Sequence, residues 1–229
     1  MDRRALLLGG ATVALGAGAY GIWQGRSPAP LDPTLTPFGA ANAQEADGEL
    51  PEVLEMTKGN PDSGVTLIEY ASFTCPHCRS FHENVYPSLE ADYIDPGLIN
   101  FVYREVYFDR PGLWAGMVAR CGGPLRYFGI VDLIYEQQSE WTAGSPAEVA
   151  ESLQRIGRTA GLSSEELNAC MTAAAMAQAM IATYEANIEE HPIAGTPGFV
   201  INGELHGNMS YPELRGLLDA AIEAAAVEG

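Results

Sequence analysis

Val65-Thr66-Leu67-Ile68-Glu69-Tyr70, then four residues, then Cys75-Pro76-His77-Cys78: this stretch decides how the rest of the chain is read. The first run is β-branched and apolar enough for a buried strand. After the cysteines, Phe81, Val85, Leu89 and Tyr93 recur every fourth residue and so mark one face of a helix. Pro76 suits the first helical turn, where its missing N–H costs nothing. Cys75 therefore stands at a helix N-terminus, where unpaired N–H groups and the helix dipole favour a thiolate, the attacking form in disulfide exchange. His77, beside that sulfur, offers a donor that makes Cys75 a better leaving group.

Two cysteines separated by two residues also occur in zinc sites and in inert disulfides. A zinc site needs a second close pair of Cys or His, and Cys121 and Cys170 stand alone at 49 residues' separation. A disulfide closing so short a loop seldom serves stability. The spacing and its strand–helix setting favour a redox pair.

Outward from this stretch, Gly59-Asn60-Pro61-Asp62-Ser63-Gly64 is rich in turn residues, and Asp95-Pro96-Gly97 is a second turn. Leu98 to Tyr103 then reads as another strand. A strand, a crossover helix kinked at Pro87 and a strand form a βαβ unit, so the two strands are expected to be parallel. Residues 112–190 change character: Ala, Met, Leu and Glu dominate, and Ser145-Pro146-Ala147-Glu148 and Ser163-Ser164-Glu165-Glu166 fit helix-starting capping boxes. From Glu165 to Glu190 no Pro or Gly intervenes, which predicts a long helical run. Sheet signals return at Phe199 to Leu205, a hairpin around Asn202-Gly203, and a last helix begins at Ser210.

The 229 residues carry 12 Lys and Arg against 30 Asp and Glu, a net charge of −18. A nucleic-acid partner is disfavoured by that balance. The N-terminus pairs Arg3 and Arg4 with an uncharged stretch from Ala5 to Trp23, the pattern of an export signal. That stretch is just long enough to span a bilayer, and the small-residue site Ala41-Asn42-Ala43 lies far downstream, so an uncleaved membrane anchor is favoured over a cleaved signal. Export agrees with four cysteines. Cys121 and Cys170 form either a structural disulfide or two separate buried thiols. The expected organisation is a signal or anchor at 1–26, a flexible linker at 27–50, an α/β domain in two parts at 51–111 and 191–229, and an inserted all-helical subdomain at 112–190.

With Glu69, Cys75-Pro76-His77-Cys78, the helical block and Gly195-Thr196-Pro197 before the hairpin in place, the chain resembles the DsbA family, thioredoxin-fold thiol–disulfide oxidoreductases of the bacterial cell envelope. The likeness covers roughly residues 50–229; the run from Tyr86-Pro87 to Asp109 and the Cys121/Cys170 pair resemble an alphaproteobacterial branch. The resemblance implies a thioredoxin-like fold with a helical insertion. It implies that Cys75 is the exposed nucleophile, Cys78 its buried partner, Pro197 a cis-proline presenting backbone to a substrate peptide, and Glu69 a buried carboxyl serving Cys78 with protons. Thr196 stands where the best-known oxidases carry an apolar residue and puts a hydroxyl within reach of the nucleophilic sulfur. The implied activity is donation of a disulfide to reduced exported proteins in the periplasm, with reoxidation by a membrane thiol oxidase, no cofactor and a monomeric state. Two rivals are a reductase or isomerase on the same fold, and a metal-binding or metal-delivery module using Cys75, Cys78 and a histidine. For His82, Asp109, His191 and His206 the expectation is solvated surface or helix capping.

Overall fold

The computed structural model describes residues 49–228, with side chains to Val227. The expected signal or anchor at 1–26 and most of the 27–50 linker lie outside the described residues. Among the described residues no helix is long and apolar enough to cross a membrane.

The chain enters through β1 (Met56–Gly59) and β2 (Thr66–Ala71), and crosses by α1 (Pro76–Asn84), α2 (Tyr86–Leu89) and a π-helical turn (Glu90–Ile94) to β3 (Asn100–Glu105). Six helices follow: α3 (Arg110–Cys121), α4 (Pro124–Glu136), α5 (Gln138–Trp141), α6 (Pro146–Thr159), α7 (Ser164–Met171) and α8 (Ala174–Glu190). The hairpin β4 (Gly198–Ile201) and β5 (Glu204–His206) and the terminal α9 (Tyr211–Glu228) complete the order. The strands lie side by side as β1-β3-β2-β4-β5. β2 and β3 are parallel, as the crossover requires, with Leu67 opposite Phe101 and Glu69 opposite Tyr103. The other pairings are antiparallel.

Alternation along β2 sorts the sheet into two faces. Leu67, Ala71, Phe101, Tyr103, Phe199 and Ile201 join the main core with Cys78 and Phe81 of α1 and the buried side of the helical block. Tyr70 and Val200 face the other way, against Tyr184 and Ile188 of α8. Trp141, Tyr127 and Tyr135, all fully buried, carry the main core into the helical block. The disulfide Cys121–Cys170, with Cα atoms 5.8 Å apart, ties α3 to α7.

Local chemistry accounts for the element ends. Both capping boxes form, at Ser145–Glu148 and Ser163–Glu166, and the Ser210 N–H donates to the Glu213 carboxylate at 2.9 Å. The hairpin turns on Asn202 (φ 47°) and Gly203 (φ 90°), the two left-handed residues that a two-residue turn needs. Four features differ from the sequence reading. β1 was not expected: it is a four-residue edge strand containing Lys58 and ending in Gly59, which lacks an apolar alternation. Leu98–Tyr103 shifts to Asn100–Glu105. The helix after the cysteines breaks at Val85 and restarts, because Pro87 cannot donate to a preceding turn, and it ends in a wider π turn. The run from Glu165 to Glu190 divides at Thr172–Ala173, where the Thr172 hydroxyl donates back to the Asn168 carbonyl at 2.7 Å.

Candidate active site

The four residues Cys75-Pro76-His77-Cys78 start α1, with Cys75 as the extended N-cap residue and Pro76 in the first turn. The cap position is held from several sides. The Cys75 N–H donates to the Ser72 carbonyl at 3.1 Å, and the Gln138 amide donates to the carbonyls of Phe73 (2.7 Å) and Cys75 (3.0 Å). The Thr74 hydroxyl donates to Asp109 at 2.9 Å, while the other oxygen of Asp109 caps α3 by accepting from the Gly112 N–H at 2.8 Å. Asp109 is thus the helix cap expected of it, and it also fixes the loop before Cys75.

Cys75 and Cys78 are both free thiols, Cys75 half-buried and Cys78 fully buried. The Cys75 thiol donates to the Thr196 carbonyl at 3.5 Å, so the turn before β4 closes over the sulfur. The Thr196–Pro197 bond is cis. Burial works against ionisation of Cys75, but the Thr196 side chain, the N–H and thiol of Cys78 and the N–H of His77 outweigh it, and the thiol titrates below its ordinary value. The His77 and Cys78 donors belong to the α1 N-terminus, whereas Thr196, the largest of them, reaches in from the turn before β4. The backbone of His77 does this work: its side chain is exposed and takes part in no hydrogen bond among the described residues. Cys78 goes the opposite way. Burial, and then the charge of Glu69, push its thiol far above the ordinary range.

Glu69 lies beneath the pair, 1% exposed, and burial raises its carboxyl from 4.5 to about 8. Among the described residues neither of its oxygens has a hydrogen-bond partner. Pro197 and Thr196 also line a groove of about 410 Å³ that runs along residues 192–197 and 205–208, and Thr196 is the lining residue that meets the Cys75 sulfur. Glu69, Cys75, Cys78, Thr196 and Pro197 therefore converge, although 121 residues separate Cys75 from Thr196. Cys121 and Cys170 form a bridge elsewhere, between α3 and α7.

The chain matches the family described as thioredoxin over residues 52–220. The chain belongs to the thioredoxin family. A Rickettsia bellii protein named as a protein-disulfide oxidoreductase is 34% identical over 170 residues, 74% of this chain and 65% of the relative. A Rickettsia typhi protein of similar name is 33% identical and is covered over 62% of its length, so the chain spans less than two thirds of these relatives. Among solved structures, Wolbachia pipientis alpha-DsbA1 superposes with a TM-score of 0.72 at 26% identity, over 78% of this chain and 96% of that one. Bacillus subtilis BdbD shares the fold at a TM-score of 0.66 and 18% identity, over 74% of this chain and 93% of that one.

Within this thioredoxin-family frame, the helical block contributes more than a lid. Gln138 holds the backbone at the nucleophile, and the Tyr135 hydroxyl donates to the Ser72 carbonyl at 3.3 Å in the same loop. Neither residue carries a motif, and no signal in the sequence marks them. His82 departs from the expected surface role: it is buried, with Nε2 2.7 Å from Asp132. His191 ends α8 and bonds the Tyr70 hydroxyl at 2.8 Å, on the sheet face away from the cysteines. Among the described residues no cluster of three or more His, Cys, Asp or Glu side chains is arranged to hold a metal ion.

Proposed function

We propose that the chain is an exported thiol–disulfide oxidoreductase that donates the Cys75–Cys78 disulfide to reduced client proteins. One observation carries the reading: the half-buried Cys75 thiol at the N-cap of α1 titrates below its ordinary value, while the fully buried Cys78 thiol is pushed above it. A disulfide whose reduced form is stabilised in this way is readily given up.

In the forward direction a client thiolate attacks Cys75 Sγ. The client–Cys75 bond forms, the Cys75–Cys78 bond breaks, and Cys78 leaves and takes a proton. The client's second thiol loses its proton and attacks its own sulfur in the mixed disulfide, expelling Cys75 as a thiolate. Two electrons pass from the client to the pair, which ends as one thiolate and one thiol. The groove beside Thr196 and Pro197 offers the client an extended backbone path past the sulfur. The reduced pair then returns to the disulfide through a membrane thiol oxidase. The apolar segment at 5–23 would hold the enzyme near such a partner in the periplasm, and the enzyme acts as a monomer without a cofactor.

The test is oxidation of a reduced, unfolded ribonuclease followed by recovery of its activity. Wild-type protein is expected to restore it, Cys75→Ser to fail, and Cys78→Ala to accumulate a client adduct through Cys75 that mass spectrometry locates. Equal recovery with Cys75→Ser rejects the proposal.

A further inference from the structure

Two buried side chains in one region carry polar atoms without partners among the described residues: both carboxyl oxygens of Glu69, and Nδ1 of His82. A polar group left so costs about 1–3 kcal/mol, and two of them in one core call for a shared cause.

The fold brings them to the same place. Glu69 and Tyr103 are register partners on β2 and β3, so their side chains leave the sheet on one face, side by side. The Tyr103 and Tyr135 hydroxyls are 2.6 Å apart, and the Tyr135 ring lies against His82 with centroids 4.7 Å apart. His82 is one turn after Cys78 on the buried face of α1. Burial first, and the charge of Glu69 among the lesser causes, raise the phenols of Tyr86 and Tyr135, the two rings that enclose His82.

The opposite edge of the imidazole leads outward. Nε2 is 2.7 Å from Asp132 Oδ1, and the Asp132 side chain is 61% exposed against 9% for His82. A carboxylate only accepts, so Nε2 carries the hydrogen, and Nδ1 lies on the opposite, buried edge of the ring. Tyr86 stacks on the second face at 4.7 Å and 11°, which holds the ring in this orientation. The charged and titratable groups around it are thus Asp132 and Tyr135 from α4, Tyr86 from α2 with Glu90 beyond its hydroxyl at 3.5 Å, and Glu69 from β2.

We propose that His82 and Asp132 form the proton path between solvent and Glu69, with internal water joining Nδ1 to the carboxyl. This rests on the disulfide-donor reading and adds the route by which its buried leaving group is served. When Cys78 leaves as a thiolate, it takes the proton of Glu69. Asp132, protonated from solvent, delivers to Nε2, and the ring passes its Nδ1 proton to the Glu69 carboxylate. The ring ends with its hydrogen on Nε2, bonded to Asp132, the arrangement that accompanies the dithiol here. Reoxidation runs the path outward and restores the other tautomer, so the clamped ring never has to turn over. His82 touches no reacting sulfur and acts through Glu69.

The experiment is single-turnover reduction of the oxidised full chain by dithiothreitol across pH 5–8, with a stopped-flow pH indicator beside the optical signal: dithiothreitol releases two protons, the Cys75 thiolate takes none, and the uptake followed is the one proton that then restores Glu69. Asp132→Asn sits at an exposed position, and His82→Phe keeps a ring between the two tyrosines. Each is expected to slow proton uptake by roughly tenfold or more. Neither should slow it further in a Glu69→Gln background, and imidazole in the buffer should restore the rate of His82→Ala. Wild-type uptake in both Asp132→Asn and His82→Phe overturns the path. Slowing that is equally large in the Glu69→Gln background, or that imidazole leaves untouched, shows a structural role and overturns it too. A chain that shows this relay towards dithiothreitol yet oxidises no client sinks the functional reading alone.

Discussion

Replacing Glu69 by Gln should change how stability depends on pH, and the size follows from burial. The carboxyl is 1% exposed, and burial raises it from 4.5 to about 8. In the unfolded chain it ionises near 4.5, whereas in the folded protein it stays protonated to about 8. Its contribution is therefore fully present below pH 4.5 and is lost as pH rises towards 8, at about 1.4 kcal/mol per pH unit. The whole span amounts to about 5 kcal/mol, of which about 3 kcal/mol is lost by pH 7. Gln is neutral throughout and contributes no slope. The stability of Glu69→Gln relative to wild type should accordingly rise by about 3 kcal/mol from pH 4 to pH 7, which is about 6–12 °C in Tm for a domain of this size. Any fixed cost of a buried amide shifts the whole difference without altering its slope. Urea and thermal unfolding of both proteins in the dithiol state at pH 4, 5, 6, 7 and 8 make the measurement. A difference that does not change with pH would refute the assignment of Glu69 as a buried neutral acid.

Three further outcomes are expected. Iodoacetamide at pH 7 should label Cys75 well before Cys78, because only Cys75 is both accessible and favoured as a thiolate; peptide mapping that finds equal labelling contradicts the site electrostatics. Changing Cys121 and Cys170 together to Ala opens a loop of 49 residues and should cost about 4 kcal/mol by loop entropy, read as a lower urea midpoint. Arg120→Met leaves Glu105, which Arg120 grips with both Nε (2.7 Å) and Nη2 (2.5 Å), as an unpaired buried charge; a loss of about 3–5 kcal/mol is expected at pH 7, and an unchanged midpoint would show that Tyr127 alone satisfies the carboxylate.

The sequence disclosed the parts of this fold that are local. The β2–α1–β3 crossover is written in a strand run, a fourfold helical spacing and a turn, and the parallel pairing follows from chain handedness. Capping boxes at Ser145 and Ser163 disclosed two helix starts because the cap and its partner are three residues apart. β1 escaped notice because Met56-Thr57-Lys58-Gly59 draws its strand character from β3 alone. The break between α7 and α8 was hidden because a Thr hydroxyl, not Pro or Gly, ends the first helix. At the site, Cys75 and Cys78 announce themselves by adjacency. Glu69, Thr196 and Pro197 became legible only through the family likeness. Gln138, Tyr135 and the His82–Asp132 pair carry no local signature: they meet the active-site loop and α1 across 50 to 65 residues, through packing of the helical block that no periodicity specifies.

The central claim is that Cys75–Cys78 is a disulfide made to be given away. Equilibration of the full chain in glutathione buffers of graded potential, with alkylation trapping and mass spectrometry of the pair, tests it directly. A Cys75 thiol that titrates below its ordinary value, as in the strongly oxidising DsbA, sets the expected midpoint near −120 mV, about the value of that enzyme. A midpoint below about −200 mV would contradict the account and make the protein a reductase or isomerase.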